Sequence, residues 1–226
     1  MAKRPIFLAG DSSNGFYRQE MIEFKFYNGF ALSQKAKSIA SLHNAAKERF
    51  DINILEVSTK STDKIGWGLS AFNMQVALDA DRSITLESAF QGSKVFEGGV
   101  QYDDIYYKSP LDAKKDDRLK SSGHIIGFSW QDVWWENDPQ TAFYDWLYIN
   151  ALHANKQLSK EIMNYDAFSD IEFNPKKSLN CQARSSAIYV SLVKNGMIED
   201  VLHSKDDFIG IIYPKNTKQG SLFDPN

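Results

Sequence analysis

The sequence predicts an α+β fold dominated by helices, with a small strand-and-helix lobe at its start. Three observations lead there. Two short strand-like runs, "RPIFLAG" and "INILEVS", flank a helical stretch within the first 58 residues. From Thr85 onward, apolar residues recur mainly at helical spacing. No sequence repeat or long linker interrupts the 226 residues, and 42% hydrophobic content is enough for one sizeable core.

The elements follow in order. "RPIFLAG" reads as a buried strand. "MIEFKFYNGFALS" alternates Ile22, Phe24 and Phe26 with Glu23 and Lys25, then reaches Asn28-Gly29, a strong hairpin signal. Ser33 is the expected cap of a helix to about Phe50, with Ala36, Ile39, Ala40, His43 and Ala46 on one stripe. These pieces form a lobe over residues 1–53. The main domain, 54–204, opens with the strand "INILEVS" and a polar, flexible loop "TKSTDKIGWG". A helix is expected from about Thr85 to Phe96, stopped by Gly98-Gly99. Ser109 and Pro110 mark the start of a second helix, and Asp138 and Pro139 mark that of "QTAFYDWLYINAL". "ARSSAIYVSLVKNG" is a further helix ending at Gly196. Residues 205–226 form a C-terminal segment.

Composition excludes several functions. A net charge of −3 advertises no broad nucleic-acid surface, so such contact needs a local pocket or strip. A single cysteine, Cys181, rules out an internal disulfide and a cysteine-cluster zinc site. The start "MAKRPIFLAGD" is too short in apolar residues for a signal peptide, and no run approaches the ~18 residues of a membrane span. A cytoplasmic location without membrane contact is therefore expected. No phosphate loop, dinucleotide fingerprint or metal spacing among the four histidines appears, so neither metal nor cofactor is expected.

One stretch stands out. In "LESAFQGSK", Glu87, Gln91 and Lys94 lie at i, i+4 and i+7, within roughly 60° on a helix. Leu86, Ala89, Phe90 and Val95 cover much of the remaining circumference. An acid, an amide and a base among apolar neighbours point to a polar cleft.

The stretch "ESAFQGSK" resembles the signature helix of the NADAR family, the YbiA-like N-glycosidases. "ILEVSTKSTDKIGWGLSAF" before it is similar to the family's strand, polar loop and aromatic segment, and "SPLDAKKDDR" after it to the family's Ser-Pro…Ala…Arg helix. "DAFSDIEFNPKKSLNCQARSSAIYVSL" occupies the place of the closing Asp…Asn block and last helix. The match runs from about Ile54 to Leu202. Together with the N-terminal "RPIFLAG" lobe, it resembles the NADAR branch associated with guanine-specific DarT-type toxins. Two departures are Glu87-Ser88 in place of Glu-His and "SDIEFNP" in place of Asp-Ala-Tyr-Trp-Gly.

The resemblance implies a NADAR-like domain and an antitoxin hydrolase that removes ADP-ribose from guanine bases in DNA. Its substrate is then ADP-ribosylated DNA, its product ADP-ribose and its counterpart a DarT-type toxin. Two other readings stand beside it: an N-glycosidase of ribosylamino-pyrimidine intermediates in riboflavin synthesis, and a non-enzymatic antitoxin that occludes its toxin. Cleaving an N-glycoside needs proton delivery and a nucleophile. Glu87 suits the first if burial raises its pKa, and Lys94 the second if burial lowers its own. Buried side by side, however, the two would stabilise each other's charges. In the alternative, Glu87 activates water and Lys94 holds a phosphate or ribose hydroxyl.

Further binding candidates follow. Gln91 is placed to orient a ribose hydroxyl, Lys60 and Ser61 to meet the diphosphate, and Trp67 and Phe72 to stack on a base, as are Trp134 and Trp135. Asp170 and Asn180 match polar positions of the family's closing block.

Overall fold

"AKRPIFLA" forms strand β1 (Ala2–Ala9) and "YRQEMIEF" forms β2 (Tyr17–Phe24), paired antiparallel from Ala2 opposite Phe24 to Ala9 opposite Tyr17. The computed structural model describes residues 1–10, 15–29 and 31–214. Residues 215–226 of the C-terminal segment lie outside the described residues. Side-chain alternation sorts the strands' two faces. Ile6, Leu8, Ile22 and Phe24 pack against Ile39, Leu42 and Ala46 of helix α1 (Leu32–Lys47). Phe7 turns the other way, into the main core.

Two local expectations fail here. Asn28-Gly29 closes no hairpin; β2 takes β1 as its partner, and the chain after Gly29 leads into α1. The hydroxyls of Ser38 and Ser41 on α1 hold that connection by accepting from the backbone N–H groups of Tyr27 (2.9 Å) and Lys25 (3.2 Å). Ser33 lies inside the first turn of α1, whose preceding residue, Ala31, makes no side-chain cap. The buried stripe runs through Ser38, Ile39, Leu42 and Ala46, and Ala40 faces solvent.

The rest of the chain alternates short elements. β3 (Ile54–Glu56) leads into the segment expected as a polar loop, which contains a short helix. Within it α2 (Lys64–Gly68) is capped by Asp63, whose carboxylate accepts from Ile65 N–H at 2.9 Å. A hairpin of β4 (Gln75–Ala77) and β5 (Ser83–Thr85) precedes α3 (Leu86–Gly92), capped by Thr85. Helix α3 is shorter than expected. After Gly92 the chain becomes β6 (Lys94–Phe96), and Gly98 and Gly99, both at φ 78°, turn it into β7 (Val100–Gln101).

Ser109 caps α4 (Pro110–Lys115) as its sequence requires, and α5 (Arg118–Ser121) follows separately. β8 (Ile125–Trp130) and β9 (Val133–Glu136) complete a sheet of order β7-β6-β8-β9. Asp138-Pro139 is a cis peptide in the turn ahead of α6 (Ala142–Ala154), which begins after Thr141 and so later than the Asp-Pro signal indicates. α7 (Lys156–Glu161), β10 (Ala167–Ser169), α8 (Gln182–Lys194), α9 (Ile198–Leu202) and α10 (Lys205–Ile212) finish the described chain, an α+β fold. No helix among the described residues is long and apolar enough to cross a membrane.

One pairing organises the molecule. β10 inserts between β1 and β3, giving the order β2-β1-β10-β3, so β1 and β2 share a sheet with strands that lie much later in the chain. β10 runs parallel to β3, with Ser169 beside Glu56, and both strands leave the sheet at the same edge. At that edge Glu56 is buried and accepts three hydrogen bonds, from the Ser58 hydroxyl (2.7 Å), the Ser169 hydroxyl and Ile171 N–H (2.8 Å). Burial raises its pKa. Since Ser169 gives its proton to Glu56, its oxygen accepts from His43 Nε2 on α1 at 2.8 Å.

Burial, more than this bond, keeps His43 a neutral imidazole. Burial, assisted by Lys47, lowers its pKa from 6.5 to about 4. As pH falls through that window, the unfolded chain takes up a proton that the native protein refuses, so stability falls with falling pH, by at most about 1.4 kcal/mol per pH unit. Urea midpoints measured from pH 7 to 4 should therefore drop less steeply in His43→Gln than in the parent protein. Parallel slopes would contradict this role.

Candidate active site

The parallel exit of β3 and β10 delivers two loops to one cavity of about 540 Å³. Ser58, Thr59 and Lys60 come from the first loop, and Asp170, Glu172 and Phe173 from the second. The opposite wall is α3, which presents Glu87, Phe90 and Gln91; α4 adds Leu111 and Lys114, and α6 adds Tyr144. Ser70–Phe72 and Ser178–Asn180 border the opening.

Gln182, the first residue of α8, ties three of these walls together. Its amide donates to Val57 O (2.7 Å) and to the Asp170 carboxylate (3.0 Å), and its carbonyl accepts from Ala71 N–H (2.9 Å). Asp170 also accepts from Glu172 N–H at 2.9 Å. Burial first, and then the Glu56 carboxyl, push Asp170 up to about 7. It thus meets the cavity as a group that exchanges a proton near neutrality. Asn180 brings a buried carbonyl oxygen that no donor among the described residues satisfies.

On α3 the three residues of "LESAFQGSK" meet through one amide. Glu87 and Gln91 are one helical turn apart, and Gln91 Nε2 donates to Glu87 Oε1 at 2.9 Å. Lys94 has left the helix as the first residue of β6, yet its amine returns to donate to Gln91 Oε1 at 2.6 Å. A Cβ on Gly92 would sit 2.5 Å from Cδ1 of the Tyr106 ring, so glycine is what lets Tyr106 pack against the last turn of α3. Lys94 Nζ lies 5.1 Å from the centre of the Phe90 ring. Burial lowers its pKa to about 8, against the pull of the Glu87 charge and with the push of Lys114.

Lys114 is the cation nearest to Glu87, with Nζ 3.8 Å from Oε1 and 5.1 Å from the centre of the Phe72 ring. The sequence offered a clue to it, in that Lys114 follows Ser109-Pro110 by one turn, but nothing in the sequence turned it toward Glu87. Tyr144, set edge-on to Phe90, is held firmly as a phenol by burial and by the Glu87 charge.

Of the eleven candidates read from sequence, Glu87, Gln91, Lys60, Phe72, Asp170 and Asn180 line this cavity. Lys94 stands one hydrogen bond behind it. Ser61 does not reach it; its hydroxyl accepts from Asp63 N–H (3.2 Å) and lies over Gly66. Trp67, half exposed, lines a separate groove with Met74 and Leu158. Trp135 is core and Trp134 lies outside the cavity, over Gly127. Sequence reading missed Lys114, Gln182, Tyr144 and Glu56. Among the described residues no cluster of three or more His, Cys, Asp or Glu is arranged to hold a metal ion.

A model of one family, described as DarT1-associated NADAR antitoxin, matches residues 2–221. The chain belongs to that family. The match takes in both the N-terminal strands and the cavity walls, so residues 1–53, which the resemblance above reached only through "RPIFLAG", are part of the family's pattern. No curated protein matches the chain. A DarT1-associated NADAR antitoxin is by description the counterpart of a DarT1 toxin.

Gln182 gives this NADAR site a direct test of construction. Gln182→Leu leaves Val57 O and Ala71 N–H buried without partners and should lower stability by about 2–4 kcal/mol in urea unfolding. A change below about 0.5 kcal/mol would mean that water replaces all three bonds.

Proposed function

We propose that the protein is an antitoxin glycohydrolase that removes ADP-ribose from guanine bases in DNA and so reverses a DarT-type toxin. The observation that carries this reading is one cavity wall and what stands behind it: a carboxylate and an amide that line the cavity with Asp170, Lys60 and Lys114, and a low-pKa amine hydrogen-bonded behind the amide. Membership in the DarT1-associated NADAR family supports the antitoxin role.

The chemistry assigned to these groups balances. The lone pair of the Lys94 amine attacks the anomeric carbon, and the bond from that carbon to the guanine exocyclic nitrogen breaks. Its electron pair stays on nitrogen, which takes a proton delivered through Glu87. Loss of the ring oxygen from the same carbon, with a proton, leaves an imine to Lys94. Water adds to the imine carbon, the amine departs with a proton, and the freed aldehyde closes to ADP-ribose. The sum is substrate plus water giving guanine plus ADP-ribose. No cofactor enters.

The remaining groups are assigned to binding. Lys60 and Lys114 at the mouth suit a diphosphate, and Phe72 offers a face to a base. The unpartnered Asn180 oxygen suits a ribose hydroxyl or a base N–H.

The test is release of free ADP-ribose from an oligonucleotide carrying ADP-ribosylated guanine, run beside a ribosylamino-pyrimidine substrate. Release from the oligonucleotide with little turnover of the pyrimidine is the expected result; no release at high protein concentration would overturn the proposal. Glu87→Gln should lower kcat by at least about 100-fold. Lys94→Arg should fall to background, because a guanidinium retains its proton and cannot attack carbon, whereas a loss of only about 10–100-fold would reassign Lys94 to phosphate binding.

A further inference from the structure

A buried carboxylate and a buried amine within reach of each other ordinarily collapse into an ion pair, which raises the amine's pKa and removes its lone pair from chemistry. Glu87 is buried and Lys94 half-buried, they are seven residues apart, yet they make no direct salt bridge among the described residues. The Gln91 side chain occupies the place between them. Its NH2 end faces the carboxylate at 2.9 Å and its carbonyl end faces the amine at 2.6 Å. An amide is suited to this position because it offers a donor to the acid and an acceptor to the base while carrying no charge.

The surrounding elements favour the same separation. Glu87 Oε1 takes its nearest cation, Lys114, from α4. The charges acting on Lys94 are Glu87 from α3 and Lys114 from α4. β8 places Phe128 opposite Lys94 in register, and Tyr144 of α6 borders the Glu87 charge as a phenol. Phe90 covers the amine on the remaining side.

We propose that Gln91 is a positioning residue whose carboxamide keeps the Glu87 carboxylate and the Lys94 amine apart in the free protein, so that the amine remains available until a sugar enters. This deepens the glycohydrolase reading and rests on its assignment of Glu87 and Lys94. Since Lys94 stands behind Gln91, the incoming ribose has to displace the amide, and its hydroxyls replace the two hydrogen bonds that the amide gives up.

The experiment needs no substrate. In protein labelled with 13C-lysine, the Lys94 Cε signal, assigned with Lys94→Met, is followed by NMR from pH 6 to 11. Gln91→Met has nearly the same length but neither hydrogen bond. If Gln91 separates the pair, the Lys94 midpoint should rise by about one pH unit or more, because the carboxylate becomes a direct partner. Adding Glu87→Gln to that variant should bring the midpoint back to or below its starting value.

A merely structural Gln91 predicts the opposite sign, since losing an acceptor from the ammonium lowers the midpoint. A lowered or unchanged midpoint in Gln91→Met therefore overturns the proposal. Gln91→Asn, too short to span both groups, supplies the same test should the methionine variant fail to fold. Failure to release ADP-ribose from DNA would sink the assigned reaction and leave this titration untouched, so the two ideas fail separately.

Discussion

The structure depends on a buried carboxyl group at the edge of a sheet. Glu56 ends β3 beside Ser169 of β10 and gathers donors from Ser58, Ser169 and Ile171. Two of those donors belong to the segments that leave the sheet there, so satisfying one buried acid fixes where both cavity loops begin. An unpaired carboxyl in that position would cost several kcal/mol. The same group reaches outward through Ser169 to His43, which binds α1 and the N-terminal strands to the cavity's foundation. It also acts inward, since its charge helps hold Asp170 protonated near neutrality.

Across the cavity, the opposite wall solves a different problem with a neutral group. Burial lowers the pKa of the Lys94 amine, and the same withdrawal from water strengthens its attraction to the Glu87 carboxylate. Gln91 between them, with Lys114 as the carboxylate's cation, reconciles the two effects. One wall is thus an acid network held by donors, and the other is a carboxylate and an amine held apart by an amide.

Much of this was legible in the sequence where the signal is local. Thr85 and Ser109-Pro110 cap α3 and α4 as their residue types require, and the helix "ARSSAIYVSLVKNG" ends at Gly196. The Glu87, Gln91 and Lys94 constellation survives even though Lys94 lies on a strand, because a side chain as long as lysine bridges the change of backbone. Less legible were features set by distant partners. Glu56 looks like an ordinary strand residue until Ser169 and Ile171, more than 110 positions later, fold against it. Gln182 becomes a tie only when Val57 and Ala71 arrive beside it. The Asn28-Gly29 pair misled for the same reason: the segment after it is helix α1, which packs its apolar stripe on β1 and β2 and so offers β2 no second strand to pair with.

In the proposed reaction the Lys94 amine, separated from Glu87 and with its pKa lowered by burial to about 8, forms the bond to the sugar. Borohydride reduction during turnover on an ADP-ribosylated guanine oligonucleotide, followed by peptide mass spectrometry, tests it most directly. A stable adduct at Lys94 whose mass reflects a reduced imine to ADP-ribose is the expected result. An adduct at Lys114, or none while ADP-ribose is being released, would contradict it and leave Glu87 to activate water without a covalent partner.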